Sequence, residues 1–269
     1  MFSLNRRDGA NRYGEMKMKR ALLGVFAVMM TTGSALAQST QDKNVSIVLV
    51  HGAFVDASGW QPVYEILADK GYEVLVVQNP TITLDGDVTA TKQVIAKAKH
   101  PVVLVGHSYG GAVITEAGTE QKVRSLVYIA AFAPEAGESV YDLATRPTPG
   151  EQGAPLLPPK DGFILVDQEK FPAAFAADVD SAQTRFMAAA QVPWGLGAVQ
   201  AKIGQAAWKL KPTYFMVTAQ DHMVPPTTQR FMASRSKADQ IELRSSHAAM
   251  LSHPKEVSDF ITRAASEAK

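Results

Sequence analysis

The chain contains no cysteine, which excludes disulfide cross-links, thiol catalysis and cysteine–zinc sites and leaves the redox compartment unread. It has almost no excess charge. Its 27 Lys and Arg stand against 26 Asp and Glu, a formal net of +1. A surface so balanced offers no field for nucleic acid or an anionic membrane. Low-complexity tracts are missing, and none of the six histidines falls in the His-x-x-x-His spacing of a helical metal site. Long apolar runs are missing too: the stretch from Ala21 to about Met30 is short for a membrane span. What remains is a globular composition, 46% hydrophobic and 20% charged over 269 residues, a length that one α/β domain commonly fills.

The short apolar stretch has flanks of its own. Lys17, Lys19 and Arg20 precede it, and Ala35-Leu36-Ala37 follows before Gln38. Basic, apolar, then small-x-small is the order of a secretory signal peptide, here over residues 16–37; the alternative is an uncleaved anchor. Such a signal starts naturally at Met16 or Met18, so residues 1–15 read as an upstream extension, a misannotated start. Arg6-Arg7 lies too far from the apolar run for twin-arginine export. Removing residues 1–37 leaves 21 basic against 24 acidic side chains, a net of −3. The expectation is a soluble exported protein, periplasmic or secreted, with no stable membrane association after cleavage.

Apolar runs then recur at intervals. Val45–Val50, Glu73–Gln78, Pro101–Gly106, Val123–Ala130, Pro212–Ala219 and Gln240–Ser245 read as strands. Most are continuous rather than alternating, which suits strands buried on both faces of a parallel sheet. Helical patterns fill the gaps: Gly59–Lys70, Asp87–Lys99, Gly110–Gly118, Thr227–Ser236 and Pro254–Ala265. Asp87 at the start of the second and Lys97 and Lys99 at its end match the helix dipole. Strand and helix in alternation predict a doubly wound α/β layer, a mostly parallel central sheet with helices on both faces. The core covers residues 45–133 and 211–269. Between them, residues 134–210 lose the beat and carry two proline clusters and scattered aromatics. A structureless loop of that length is implausible, so the segment is expected to be an inserted cap of short helices over the carboxyl edge of the sheet.

One phrase joins a buried strand directly to a helix: Gly106-His107-Ser108-Tyr109-Gly110. It fits G-x-S-x-G in the strand–turn–helix context of a nucleophile elbow. The sharp turn presents the Ser108 hydroxyl above the sheet edge, and the glycines let strand and helix approach closely. The Tyr109 N–H at the helix start is free to face a developing oxyanion. A serine hydroxyl needs a base oriented by a third group. Asp221 follows the fifth strand and His247 the sixth, both on the rim where open α/β sheets assemble their sites. Asp221 would hold His247 in the required tautomer. Gly52, after the first strand, lets the chain aim the Ala53 N–H at Ser108 as a second oxyanion donor, ahead of Phe54.

The rivals rank lower. His222 adjoins Asp221 and should point elsewhere, His253 precedes Pro254 at a helix start, and His107 sits inside the elbow. His51 reads as a hydrogen-bonded turn residue and His100 as a surface connector. Asp167, Asp178 and Asp180 lie in the cap, away from strand ends. Phe54, Phe132, Phe186 and Trp194 are the candidate substrate-pocket residues. No metal is expected, and no cofactor is needed for this chemistry.

Four phrases in order, VLVHGAF…SGW, VGHSYGG, TAQDHMVPP and SSHAAMLSHPKEVSDFI, resemble the α/β-hydrolase superfamily. The resemblance is nearest to the branch of plant methyl-ester esterases and hydroxynitrile lyases with their bacterial relatives. It covers nearly all of residues 45–265, including the cap phrase FPAAFAADVD. The resemblance implies a serine hydrolase acting through an acyl-enzyme on small, moderately hydrophobic carboxylic esters. The lyases that resemble this chain carry threonine at the position of Gly52 and lysine at that of Ala248, so the esterase reading gains. A hydroxynitrile-lyase-type C–C lyase and a non-catalytic ligand-binding protein on the same fold are the alternatives. Acyl and alcohol preference and oligomeric state are not legible.

Overall fold

The computed structural model describes residues 43–268, and the expected upstream extension and signal segment lie outside the described residues. Strand β1 (Ser46–Val50) leads through a 3₁₀ turn at Ala57–Trp60 into α1 (Gln61–Asp69), followed by β2 (Glu73–Val77) and α2 (Leu84–Lys97). Then come β3 (Val102–His107), α3 (Gly110–Ala117) and β4 (Val123–Ile129). These six-to-seven-residue strands at the centre are mostly apolar because helices cover both faces, and only Arg124 of β3 and β4 is exposed.

The cap follows as short pieces: α4 (Val140–Ala144), β5 (Phe163–Ile164), α5 (Phe171–Phe175), α6 (Ser181–Ala189), β6 (Trp194–Gly195) and α7 (Leu196–Gln200). The core resumes with β7 (Thr213–Thr218), α8 (Pro226–Arg235), β8 (Asp239–Leu243), α9 (Ala249–Ser252) and α10 (Pro254–Glu267). The main sheet has the order β2-β1-β3-β4-β7-β8, and every pairing in it is parallel. With β3 near the middle and β7 and β8 beyond it, the carboxyl ends that carry Ser108, Asp221 and His247 share one rim.

The cap contains more than the expected helices. β5 and β6 pair as a small antiparallel ribbon, Phe163 opposite Gly195 and Ile164 opposite Trp194. Gln191 closes its base, donating to the Val166 carbonyl and accepting from the Val166 N–H. The ribbon is fixed to the core: the Gly195 N–H donates to the Thr81 carbonyl at 2.8 Å and the Val192 N–H to the Phe54 carbonyl at 3.2 Å. At the root of the cap the Trp208 indole N–H donates to the Pro134 carbonyl at 2.9 Å. Arg235 of α8 bonds the Ala133 carbonyl and the Glu138 carboxylate there.

Helix α2 corrects one expectation. It begins at Leu84, capped by the Thr83 hydroxyl, and Asp87 lies inside it, fully buried, rather than at an exposed start. Leu84, Asp87, Val88, Thr91 and Ile95 form its buried face, the spacing of an amphipathic stripe.

Candidate active site

Ser108 joins β3 to α3 with φ of +54°, a left-handed conformation that a residue with a Cβ adopts at a cost. Its backbone is pinned on both sides. The Ser108 N–H donates to the Ile129 carbonyl at 3.2 Å, and its carbonyl accepts from Gly111 and Phe132 at 2.9 and 3.0 Å. Glycines allow the crowding. A Cβ on Gly106 would stand 2.6 Å from the Gly110 carbonyl oxygen, and one on Gly110 equally close to the carbonyl oxygens of Val50 and His51. A Cβ on Gly52 would meet the Ser108 Cβ at 2.6 Å. The first strand's turn therefore lies directly against the elbow.

Asp221 and His247 are brought together as the spacing predicts. The His247 Nδ1–H donates to Asp221 Oδ2 at 2.7 Å, and both side chains are buried. A carboxylate oxygen can only accept here, so Nδ1 carries a proton, and in the neutral ring the lone pair falls to Nε2. That nitrogen is buried and has no partner among the described residues. The carboxylate is itself fixed. Oδ1 accepts from the N–H groups of Met223 and Val224 at 2.7 and 2.9 Å; Oδ2 also accepts from Thr218 and Gln229 at 2.9 and 2.8 Å. Gln229 also donates to the Val224 carbonyl and accepts from the Thr218 N–H, locking the whole turn.

His107, the residue before the serine, holds the other side of His247. Its Nε2–H donates to the His247 carbonyl at 2.9 Å, and the two rings lie 4.6 Å apart. Burial keeps its pKa well below the ordinary histidine value, with the neighbouring His247 adding to the effect, so it is a neutral brace. His51 is likewise neutral, its pKa lowered by burial. Its Nε2 accepts from the Asn79 N–H, which leaves the Nδ1–H to donate to the Gly52 carbonyl, each at 2.8 Å. This imidazole therefore orients the turn that carries Ala53. Of the remaining rivals, His222 is exposed, the backbone N–H of His100 bonds Ser46, and His253 Nδ1 bonds the Ser252 hydroxyl.

Neither the Ala53 nor the Tyr109 N–H has an acceptor among the described residues, and each adjoins the elbow. Tyr109 is anchored by a residue that the sequence reading passed over. Its hydroxyl donates to Asp87 Oδ2 at 2.5 Å, while Asp87 Oδ1 accepts from the Thr81 N–H at 2.7 Å. Burial raises the Asp87 pKa against the pull of those bonds, and burial with the adjacent carboxylate raises that of Tyr109 well above the usual phenol value. The signal was there: residues 84, 87, 88, 91 and 95 follow the helical period, which puts Asp87 on the apolar face.

Above Ser108 opens a cavity of about 320 Å³. Ala53, Phe54, Phe132, Trp194, Val224 and cap residues such as Leu156 and Leu157 line it, and no charged side chain does. Phe54, at φ of +67°, meets Trp194 edge-on, and Trp194 in turn leans on Tyr109. Three of the four candidate pocket residues thus line this cavity. Phe186 does not. It is 72% exposed on α6 and borders a smaller, separate depression that shares only Phe54 with the first. Its place on the outer face of a short helix, next to Arg185 and Met187, could not be read from an isolated aromatic. Asp178 was passed over too; it bonds Ser245 and Ser246, the two residues before His247.

A family model described as the alpha/beta hydrolase family matches residues 47–260. The chain belongs to the alpha/beta hydrolase family. Among curated members it is 27% identical over 245 residues to the alpha/beta hydrolase nvfD of Aspergillus novofumigatus, covering 83% of this chain and 97% of that protein. It is 33% identical over 126 residues to a carbendazim hydrolyzing esterase of Nocardioides, 42% of this chain and 52% of the relative. Among solved structures, the pyrethroid hydrolase from Sphingobium faniae superposes with a TM-score of 0.71 at 20% identity, over 82% of this chain and 98% of the other. The Arabidopsis methylesterase MES16 does so at 0.66 and 22%, over 83% and 99%. At these identities the structural likenesses speak for the fold.

Proposed function

We propose that this hydrolase cleaves small, uncharged, moderately hydrophobic carboxylic esters, with Ser108 as nucleophile, His247 as general base and acid, and Asp221 as orienting group. One observation carries the reading: Ser108 opens into an apolar cavity free of charged side chains, and the buried His247 imidazole, tied to the elbow through His107, keeps an unpartnered Nε2. Hydrolases and esterases among the relatives and structural neighbours support it. Ser108 Oγ attacks the ester carbon while its proton passes to His247 Nε2. The carbonyl oxygen becomes an oxyanion held by the Ala53 and Tyr109 N–H groups, an arrangement worth about 3–4 kcal/mol per donor in transition-state stabilisation. Collapse breaks the ester C–O bond, the imidazolium protonates the departing alcohol, and an acyl-enzyme remains. Water, deprotonated by the same nitrogen, repeats the sequence and releases the acid. Asp221 keeps its hold on the Nδ1–H and stabilises the imidazolium.

The lyase alternative has less support. The turn at Gly52 has no room for a side chain against Ser108, and Ala248 supplies no charge beside the base. We further read residues 16–37 as an export signal that leaves Gln38 as the first residue of an exported protein.

The test is an acyl-length and leaving-group panel of p-nitrophenyl esters on the exported protein, whose start at Gln38 N-terminal sequencing checks. Ser108→Ala is expected to lower kcat by at least about 10³-fold while circular dichroism is unchanged. Undiminished cleavage by the alanine variant would remove Ser108 from the mechanism.

A further inference from the structure

The loop that carries His247 is poorly supported by the sheet. It emerges from β8, the edge strand, most of whose residues are exposed or half-exposed. Residues 244–248 then run without regular structure until α9 begins at Ala249. By contrast the Asp221 turn is tied within its own segment by Thr218 and Gln229. The stretch before His247 keeps one backbone tie to the segment after β7, the Gln220 N–H donating to the Ser245 carbonyl at 3.0 Å; its side-chain support comes from elsewhere.

The cap supplies it. The Asp178 backbone faces solvent, but its carboxylate is turned inward, with the side chain 26% exposed. Oδ2 accepts from the Ser246 N–H at 2.9 Å and the Ser245 hydroxyl at 3.1 Å; Oδ1 accepts from the Ser246 hydroxyl at 2.5 Å. Ser245 and Ser246 are buried. The same cap segment covers the imidazole: the Phe175 ring stands edge-on to His247 at 4.8 Å and stacks on Phe171. Beyond the carboxylate, His253 Nδ1 lies 3.7 Å away and bonds Ser252, whose hydroxyl reaches Ser245. Burial pushes the Asp178 carboxyl up, but the serine bonds outweigh it and leave its pKa below the ordinary aspartate value.

We propose that Asp178 is a positioning residue: a latch from the cap that fixes the Ser245–Ser246 turn and thereby places the His247 imidazole for its work on Ser108. The inference rests on the reading of His247 as the base. The ring is then held from three sides, by Asp221 at Nδ1, by His107 at its carbonyl and by Asp178 through the preceding turn. The latch also makes the cap part of the catalytic apparatus rather than a cover alone, because the segment that packs Phe175 against the His247 ring is the one that sets the base.

The test compares Asp178→Ala, Asp178→Asn and Ser246→Ala with Asp180→Ala, a neighbouring cap residue that only caps α6. Displacing a catalytic group by a fraction of an ångström to 1 Å costs up to about 100-fold, so Asp178→Ala is expected to lower kcat on p-nitrophenyl acetate about 10- to 100-fold with KM within about two-fold. Phosphonylation of Ser108 by a fluorophosphonate should slow by the same factor. Solvent exchange of the His247 Nδ1 proton, followed by NMR, should quicken. Asp178→Asn keeps one accepting oxygen and should recover part of the loss, Ser246→Ala should follow Asp178→Ala, and Asp180→Ala should lower Tm at unchanged kcat. Unchanged kcat, labelling and proton exchange in folded Asp178→Ala would overturn the latch; if that variant does not fold, the same readings on Asp178→Asn and Ser246→Ala decide it. Proton exchange reads the latch even if Ser108→Ala keeps its activity, which would sink the hydrolase mechanism separately.

Discussion

Ser108 sits where a turn, a helix start and a second turn crowd together, and its neighbours are small for that reason. Gly52 is the most direct case, because the atom its substitution would add falls on the serine side chain itself. Gly52→Ala is therefore expected to shift either the Ala53 N–H or the Ser108 hydroxyl. Steady-state kinetics should show kcat reduced about 10²-fold or more, the size of losing one oxyanion donor, and urea denaturation a loss of about 1–3 kcal/mol. Wild-type kinetics in this variant would mean that the turn relaxes freely. At this scale the sequence was informative wherever chemistry restricts residue type. Ser108, Asp221 and His247 could be singled out because strand ends, glycines and chain order converge on them. Gln229 and Asp178 could not, since a buried amide on α8 and a carboxylate in the cap look the same in one dimension as solvated polar residues.

Among elements, α2 shows how a polar side chain on a helix's inner face can serve a distant site. Asp87 reaches across to the Tyr109 hydroxyl and the Thr81 N–H, so the helix helps hold the residue whose backbone N–H is proposed to face the oxyanion. Asp87→Ala would strand both donors in the interior, at about 1–3 kcal/mol each. Equilibrium urea unfolding should show that loss, with a smaller one for Asp87→Asn; a change below about 0.5 kcal/mol would place the pair outside the stability of the fold. The strands of the main sheet were readable because burial on both faces writes itself as continuous valine, isoleucine and leucine. The cap was readable only as an interruption. Its pieces run from two to nine residues, too short for most of them to show a period, and the β5–β6 ribbon pairs residues about 30 apart that no local pattern links.

For the whole molecule, two imidazoles buried in neutral form make folding a function of pH. His51 and His107 both have folded pKa values below the unfolded 6.5. The unfolded chain therefore takes up protons first, so their contribution is complete above about pH 6.5 and is lost as pH falls below it. Urea midpoints measured from pH 8 to pH 5 should hold steady and then decline, and His107→Gln, whose amide can still donate to the His247 carbonyl, should flatten the decline. A flat profile in the wild type would show that other groups compensate. The cap, finally, is fastened at its root by Trp208 and Arg235, along the ribbon at Thr81 and Phe54, and at its far side by Asp178. Between Thr145 and Pro159 it is irregular, yet it furnishes much of the cavity wall. The wall residues of the 145–159 stretch and the anchors at Trp208 and Asp178 are thus separate portions of one insertion, while Ile164 and Trp194 of the ribbon serve both and Glu151 ties the stretch to Thr227 of α8. The fit for acid and alcohol can be retailored in the first without unsettling the second, so a descendant of this chain could change what it consumes while keeping how it consumes it.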